Sequence, residues 1–228
     1  MITPERYLII GTSHVAKESK KKIKHAFSTF YPDIIGIELD KQRYEGLMQK
    51  EKSSLGIYAI RQLGITGYLF AVIGKFVQKK VGNMVGMNPG EEMLLGATLA
   101  KNNKLLLALI DQDVKKTLRG LSKKVPFSEK MKMVWDFIAS PFSKQEKIKL
   151  DLNKVPSGEL INMLMGKMKS RYPKFYKVLV DDRNKYMAKQ IFLILKNNPD
   201  KKIMAIVGAG HEEGIHKDLE SLIASNVF

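Results

Sequence analysis

Two histidines of this sequence stand in the same local setting, one near each end of the chain. Tyr7-Leu8-Ile9-Ile10-Gly11-Thr12-Ser13-His14 and Ile203-Met204-Ala205-Ile206-Val207-Gly208-Ala209-Gly210-His211 are each an apolar run that breaks at a glycine and delivers a histidine three residues later. Such a run reads as a buried strand; glycine lets the backbone turn tightly where the strand ends, and the histidine then stands where the next helix begins. On neighbouring strands, two such histidines would share one crevice. Two further apolar runs end in acids: residues 34–39 lead through Glu38 to Asp40, and residues 105–110 lead to Asp111 and Asp113. Imidazole with carboxylate suits a divalent metal such as zinc, manganese or cobalt, and equally suits general acid–base catalysis.

The same residues have an ordinary structural reading, because strand-end carboxylates cap helices or pair with Lys and Arg. Glu38 is expensive to bury unpaired, so it is either a ligand or the partner of Arg43, which follows Asp40 by one helical turn. Asp111 and Asp113 have Arg119 and nearby lysines as possible partners. Glu18 lies four residues after His14 and shares its face if the helix begins at once, which makes it a candidate base or further ligand. Arg183, in Asp181-Asp182-Arg183-Asn184, is either a clamp for an anion or carbonyl or the ion-pair partner of a strand-end acid. His25 and His216 read as surface residues.

Two familiar motifs are imitated near the C-terminus and fail on spacing. Gly208-x-Gly210-x-x-x-Gly214 after a strand looks like a dinucleotide fingerprint, but that site needs a following strand with an acid about 20 residues on, and the sequence ends too soon. His211-Glu212-Glu213-Gly214-Ile215-His216 looks like a zincin helix, yet its histidines are five apart rather than four and face different ways.

The elements that must position these side chains alternate as strand and helix. A uniformly apolar strand is expected for a sheet covered on both faces. Residues 7–10, 34–39, 105–110 and 203–207 fit, giving an α/β fold with a central, mainly parallel sheet of about four core strands flanked by helices. The first helix is expected over 15–30, with Val15, Ile23, Ala26, Phe27 and Phe30 inward and Thr12 or Ser13 as its cap. The order strand, helix, strand favours a parallel pair for the first two strands, with a right-handed crossover. Glycines break the helical pattern of 44–81, Asn88-Pro89-Gly90 stops it, and 91–101 reads as a helix. Residues 114–182 are helical and lysine-rich, punctuated by Pro126, Pro141, Pro156 and Pro173. Ser157 is placed as the cap of a helix over 158–171; the Asp181–Asn184 cluster opens or interrupts a helix reaching Leu195, and a short helix closes the chain. A single domain over 1–228, with helical insertions at about 44–90 and 114–182, is the simplest organisation.

Composition narrows the chemistry. No cysteine is present, which removes disulfides, thiolate metal sites and cysteine nucleophiles, and agrees with a reducing compartment. The net charge of +16 implies attraction to anionic surfaces. A denser lysine stretch over 115–149, which also holds Trp135, Phe137 and Phe142, suits a solvated face or membrane headgroups. Nucleic acid is disfavoured because no binding motif accompanies the charge. No signal peptide is legible, and the apolar stretch 63–74 meets Lys75 well before the roughly 20 residues needed to span a bilayer.

Taken in order, these motifs resemble the TraB/pheromone-shutdown family, which is related to the Tiki proteases and more remotely to erythromycin-esterase-like and ChaN-like proteins. The resemblance is carried by Gly11-Thr12-Ser13-His14 with Glu18-Ser19, Ile37-Glu38-Leu39-Asp40 with Arg43, Ile110-Asp111-Gln112-Asp113 with Thr117 and Arg119, Asp182-Arg183-Asn184 with Met187, and Val207-Gly208-Ala209-Gly210-His211. It implies an α/β fold around the paired Gly-x-x-His units and, through Tiki, metal-dependent peptide hydrolysis with manganese or cobalt. Carried onto this sequence, it makes His14, Glu38 and His211 the metal ligands, with Arg183 close by. The C-terminal membrane region common in the family is not legible here.

The resulting expectation is a metal-dependent hydrolase, most simply a peptidase. His14, Glu38 and His211 hold manganese or cobalt, with zinc as a third choice, while Glu18, Arg183 and Arg43 form the catalytic set. The alternatives are a non-catalytic module that binds a peptide or docks on a membrane, and a metal-free hydrolase with histidine as base. Expected partners are a peptide or protein substrate and an anionic membrane surface, with homodimer formation left open. The expected location is the cytoplasm, peripheral to or tethered at a membrane in longer members.

Overall fold

The computed structural model describes residues 2–12, 16–49, 90–139 and 158–226. A 3-10 turn, Pro4–Arg6, leads into β1 (Tyr7–Thr12), α1 (Ala16–Phe30), β2 (Ile34–Ile37) and α2 (Lys41–Met48). After the interval come α3 (Glu91–Asn102), β3 (Leu106–Leu109), α4 (Val114–Lys124), α5 (Phe127–Ala139), α6 (Gly158–Arg171) and α7 (Pro173–Tyr176). A π-helical turn, Lys177–Asp181, then runs straight into α8 (Asp182–Asn197), and β4 (Ile203–Gly208) and α9 (Ala209–Ala224) close the order.

All strand pairs are parallel and the spatial order is β1-β4-β2-β3. The expected adjacency of the first two strands is therefore corrected. They are parallel in one sheet, but β4, last in sequence, lies between them. This places the two Gly-x-x-His strands side by side, with Gly11 opposite Val207 and Thr12 opposite Gly208.

The sheet is sandwiched, as uniformly apolar strands require. Alternate residues point to opposite faces. Tyr7, Ile9, Ile34, Ile203, Ala205 and Val207 therefore pack with Met187, Ile191 and Leu195 of α8 and Ile215 and Leu219 of α9. On the other face Ile10, Ile35, Ile37, Met204 and Ile206 meet Ile23 of α1 and Met93, Ala97 and Ala100 of α3. β3 departs from expectation. It is an edge strand whose Leu106 is half exposed, so only its end, at Ile110, is fully buried.

Other local expectations resolve individually. α1 carries Ile23 inward as expected, whereas Thr12 is not its cap: Thr12 is buried in β1 and its hydroxyl donates to the Val207 carbonyl at 3.1 Å. Ser13, Val15 and Ser157 lie outside the described residues. The closing helix is not short but runs for 16 residues. Of the expected insertions, most of 44–90 lies outside the described residues, and the described parts of 114–182 are helical. Among the described residues no helix is long and apolar enough to cross a membrane.

Two glycines have steric roles here. Gly90, at φ 94°, takes the left-handed conformation before α3 that a side chain would resist. Gly96 lets α3 settle on the sheet, because an added Cβ would lie 2.6 Å from Ile206 Cδ1 and 3.0 Å from Ile37 Cγ2. Gly96→Val should therefore lower stability by about 1–3 kcal/mol through overpacking, read as a lower midpoint in urea unfolding with the slope unchanged.

Candidate functional site

In a parallel sheet the residues just past the carboxyl ends of the strands gather along one edge, which is where such folds bind ligands. Here Thr12, Ile37, Leu109 and Gly208 end their strands at that edge. Glu38 is the first residue past β2, and its Oε2 accepts the Gly208 amide at 2.6 Å. Gly208 precedes α9, so the positive end of that helix is directed at the carboxylate. Glu38 Oε1 pairs with Arg183 and stands 3.5 Å from His211 Nε2.

His211 occupies the first turn of α9 and is buried. Its Nε2 lies 2.9 Å from Arg183 Nη1, and its Nδ1 lies 2.6 Å from Asn184 Oδ1. A guanidinium can only donate, so Nε2 is the acceptor and Nδ1 carries the proton that Asn184 receives. The imidazole is therefore neutral in this arrangement. Burial is the largest influence on it and pushes its pKa down; Glu38 opposes this and Arg183 reinforces it, leaving the value below the ordinary histidine range.

Arg183 links the strand ends. Its side chain also donates to Asp111 Oδ2 at 2.6 Å and Oδ1 at 3.2 Å, and to the Leu179 carbonyl of the π-helical turn at 3.3 Å. Asp111, whose side chain is fully buried, accepts at the same time from Arg43 Nη2 at 2.6 Å and from the Gln112 amide at 2.8 Å. Arg43 then turns back to Asp40 at 2.5 Å, and Asp40 caps α2 by accepting the Arg43 amide at 3.1 Å. Burial raises the Asp111 pKa, but Arg183 and Arg43 together outweigh it and hold the carboxyl below the ordinary aspartate range. Asp40 and Asp111 form part of the wall of an open cleft of about 480 Å³ that is also lined by Lys41, Glu45, Asp113 and Tyr186.

The structure thus brings together Glu38, His211 and Arg183, with Arg43 one step away across Asp111. It corrects three expected pairings. Glu38 pairs with Arg183, not with Arg43, whose partners are Asp40 and Asp111. The cations paired with Asp111 are Arg183 and the half-buried Arg43, which the sequence reading did not assign to it. Asp113 faces outward and caps α4, accepting the Lys115 amide at 2.7 Å. Glu18 sits on the exposed side of α1 and does not join the cluster. His25 is exposed as expected, but His216 is half-buried, with its ring 5.9 Å from that of Tyr7. His14 lies outside the described residues. Among the described residues no group of three or more His, Cys, Asp or Glu is arranged to hold a metal.

The settings of three residues escape a reading of the sequence. Asn184 orients His211, and Gly214 admits it, since a Cβ on Gly214 would collide with the Asn184 side chain. The only linear hint is that Asn184 adjoins Arg183. Glu92 is 1% exposed on α3, one turn before the Gly96 that packs on Ile37 and Ile206. A helix of small and apolar residues gives no sign of which acid it buries.

Comparison with known proteins agrees with this arrangement over nearly the full length. The model of the TraB/PrgY/gumN family matches residues 3–227. The chain is 32% identical over 227 residues to the uncharacterized protein MJ1365 of Methanocaldococcus jannaschii, covering 96% of this chain and 54% of that protein. It is 23% and 22% identical over 239 residues to the TraB domain-containing proteins of Mus musculus and Homo sapiens, covering 93% of this chain and 62% of each relative. The chain therefore spans between half and two thirds of the length of these relatives.

Asp111→Asn leaves two guanidinium groups facing a neutral amide. The loss should be toward the lower end of about 3–5 kcal/mol at neutral pH, because Arg43 keeps 33% of its side chain exposed. The folded pKa of Asp111 lies below its unfolded value of about 3.9. Its contribution is thus present above that value and lost as pH falls through the folded pKa. Urea unfolding at a series of acidic pH values should show a steep loss of stability in the native protein and a shallower one in the variant.

Proposed function

The chain belongs to the TraB/PrgY/gumN family, and on that premise we propose that the crevice at the ends of β1, β2 and β4 is the active site of a metal-dependent hydrolase acting on peptides. The observation that carries this is the placement of Glu38 Oε1 and His211 Nε2, 3.5 Å apart and both facing the Arg183 guanidinium. Two ligands of a common cation, each at about 2.0–2.2 Å, lie roughly 3–3.5 Å from one another, so the pair fits a divalent ion. His14, delivered by the neighbouring strand, would be the third ligand, and manganese or cobalt the ion. The peptide as substrate comes from the likeness to Tiki proteases.

When bound, the ion would polarise a carbonyl and lower the pKa of a water molecule. The surrounding residues have complementary tasks. Asn184 holds His211 in the tautomer that leaves Nε2 unprotonated, as a ligating imidazole requires. The Gly208 amide fixes one Glu38 oxygen and leaves the other facing His211. Asp111, with Arg43 behind it, anchors Arg183 where it can donate to an oxygen that gains negative charge. Glu18 is retained as a base only through its spacing from His14.

Arg183 also supports a second reading. Its guanidinium already bridges the two groups, Nη2 on Glu38 and Nη1 on His211, so it satisfies both without a metal. In that reading His211 is the base of a metal-free hydrolase, and Arg183 moves only when substrate arrives.

Titration of the purified protein with manganese and cobalt separates the readings. Metal should bind stoichiometrically, and His211→Ala or Glu38→Gln should weaken it by about 10-fold or more. Arg183→Gln should bind metal more tightly, since the competing cation is gone, while peptide turnover falls by roughly 10²–10³. Stoichiometric binding retained by the His14→Ala/His211→Ala double variant would sink the metal assignment. Activity that survives chelation would favour the metal-free reading, and neither metal nor turnover across a broad peptide panel would leave a binding module.

A further inference from the structure

The outer side of α5 carries three large apolar side chains in line. Phe127, Met131 and Trp135 recur every four residues and stand on one side of the helix. They are 76%, 48% and 69% exposed, which sets them apart from the buried aromatic and methionine residues of the core. Ordinary surfaces expose single apolar residues, whereas an aligned set marks an interaction face.

The charges around this stripe are distributed unevenly. Both acids of α5 already have partners within the protein, Glu129 in a buried place and Asp136 at the surface. Glu129 is buried and accepts the amides of Phe175 at 2.7 Å and Lys174 at 3.3 Å. Asp136 is held by two nitrogens of Arg171, each at 2.5 Å, and by the Tyr172 hydroxyl. The cations remain outside. Lys132 is exposed beside Met131, and in α4 the exposed Lys116, Arg119 and Lys123 follow one helical face up to the Pro126 turn. From Val114 to Asp136 seven lysines and arginines accompany two acids.

We propose that the outer face of α5 docks on an anionic lipid bilayer, with Phe127, Met131 and Trp135 seated in the headgroup layer. An aromatic and methionine face flanked by cations suits an interfacial helix, in which apolar burial and attraction to acidic headgroups act together. A protein partner could also cover an apolar stripe. The charge argues for the bilayer: seven cations accompany two acids over residues 114–136, both acids already have partners, and the chain carries +16, so a broad anionic plane is the complementary surface. The inference does not depend on the hydrolase reading, because none of these residues touches Glu38, Arg183 or His211.

Trp135 is the sole tryptophan of the sequence, so its emission reports directly on this face. The full chain is mixed with phosphatidylcholine vesicles, with and without phosphatidylserine, at low and high salt. With phosphatidylserine, the emission should shift to the blue, brominated lipid should quench it, and the protein should float with the vesicles. Salt should weaken all three. The Phe127→Ser/Met131→Ser variant, checked for an unchanged far-UV spectrum and melting temperature, should bind roughly 10-fold more weakly. Absence of a shift and of flotation at low salt would overturn the proposal, as would a variant that binds like the native protein. A blue shift that grows with protein concentration in the absence of vesicles would instead assign the face to a second copy of the chain.

Discussion

Everything at the carboxyl edge of the sheet depends on one fully buried carboxylate, that of Asp111. It accepts from Arg183 with both oxygens, from Arg43 and from its own neighbouring amide, so its acceptor capacity is used. A carboxylate in such a place is tolerable only because it is fully paired. In return it sets the position of two arginines that would otherwise have long side chains free to sample many rotamers. The end of β3 is thereby joined to α2 on one side and to α8 on the other. The same guanidinium that satisfies Asp111 reaches Glu38 and His211, so the structural ion pair and the candidate reactive pair are parts of one network.

That dual use explains how Glu38 and His211 can stand side by side in a largely buried place. Glu38 next to a neutral imidazole would have only the Gly208 amide and the amino end of α9 to compensate its desolvation. Arg183 supplies the compensation and at the same time blocks the lone pairs. If the pair holds a cation, as proposed, Arg183 must first swing away from Glu38 and His211. The π-helical turn just before Arg183 leaves the Leu179 carbonyl available to its guanidinium, one more anchor specific to this rotamer.

The fold was largely legible because apolar runs ending in glycine or acid are strong signals for buried parallel strands, and all four proved to be strands. Strand order was not, since nothing in β4 says that it will enter between two earlier strands. The site was legible as a set of residue types at strand ends. Its pairings were not, because Arg43 and Arg183 are separated by 140 positions and meet only through Asp111. Sequence proximity suggested Arg43 for Glu38, and three-dimensional reach assigned Arg183. Asn184 and Gly214 form a contact between two helices, and such contacts leave no linear spacing to read. His14, the other half of the paired motif, stands beyond the end of β1, whose pairing with β4 is the part of that motif the structure describes.

The central position of β4 bears on the order in which the molecule can come together. A chain emerging from its amino end presents β1 and β2 long before the strand that separates them, and Glu38 must wait for a partner 170 residues later. Until then both strands have open edges facing an empty slot, the condition that invites pairing with another chain. Closure of a loop this long is slow relative to local helix formation. Nearly all helices can therefore be formed, and the apolar strand edges still uncovered, when residues 203–208 arrive to fill the slot. Loss of even the final two elements would remove the middle of the sheet rather than its margin.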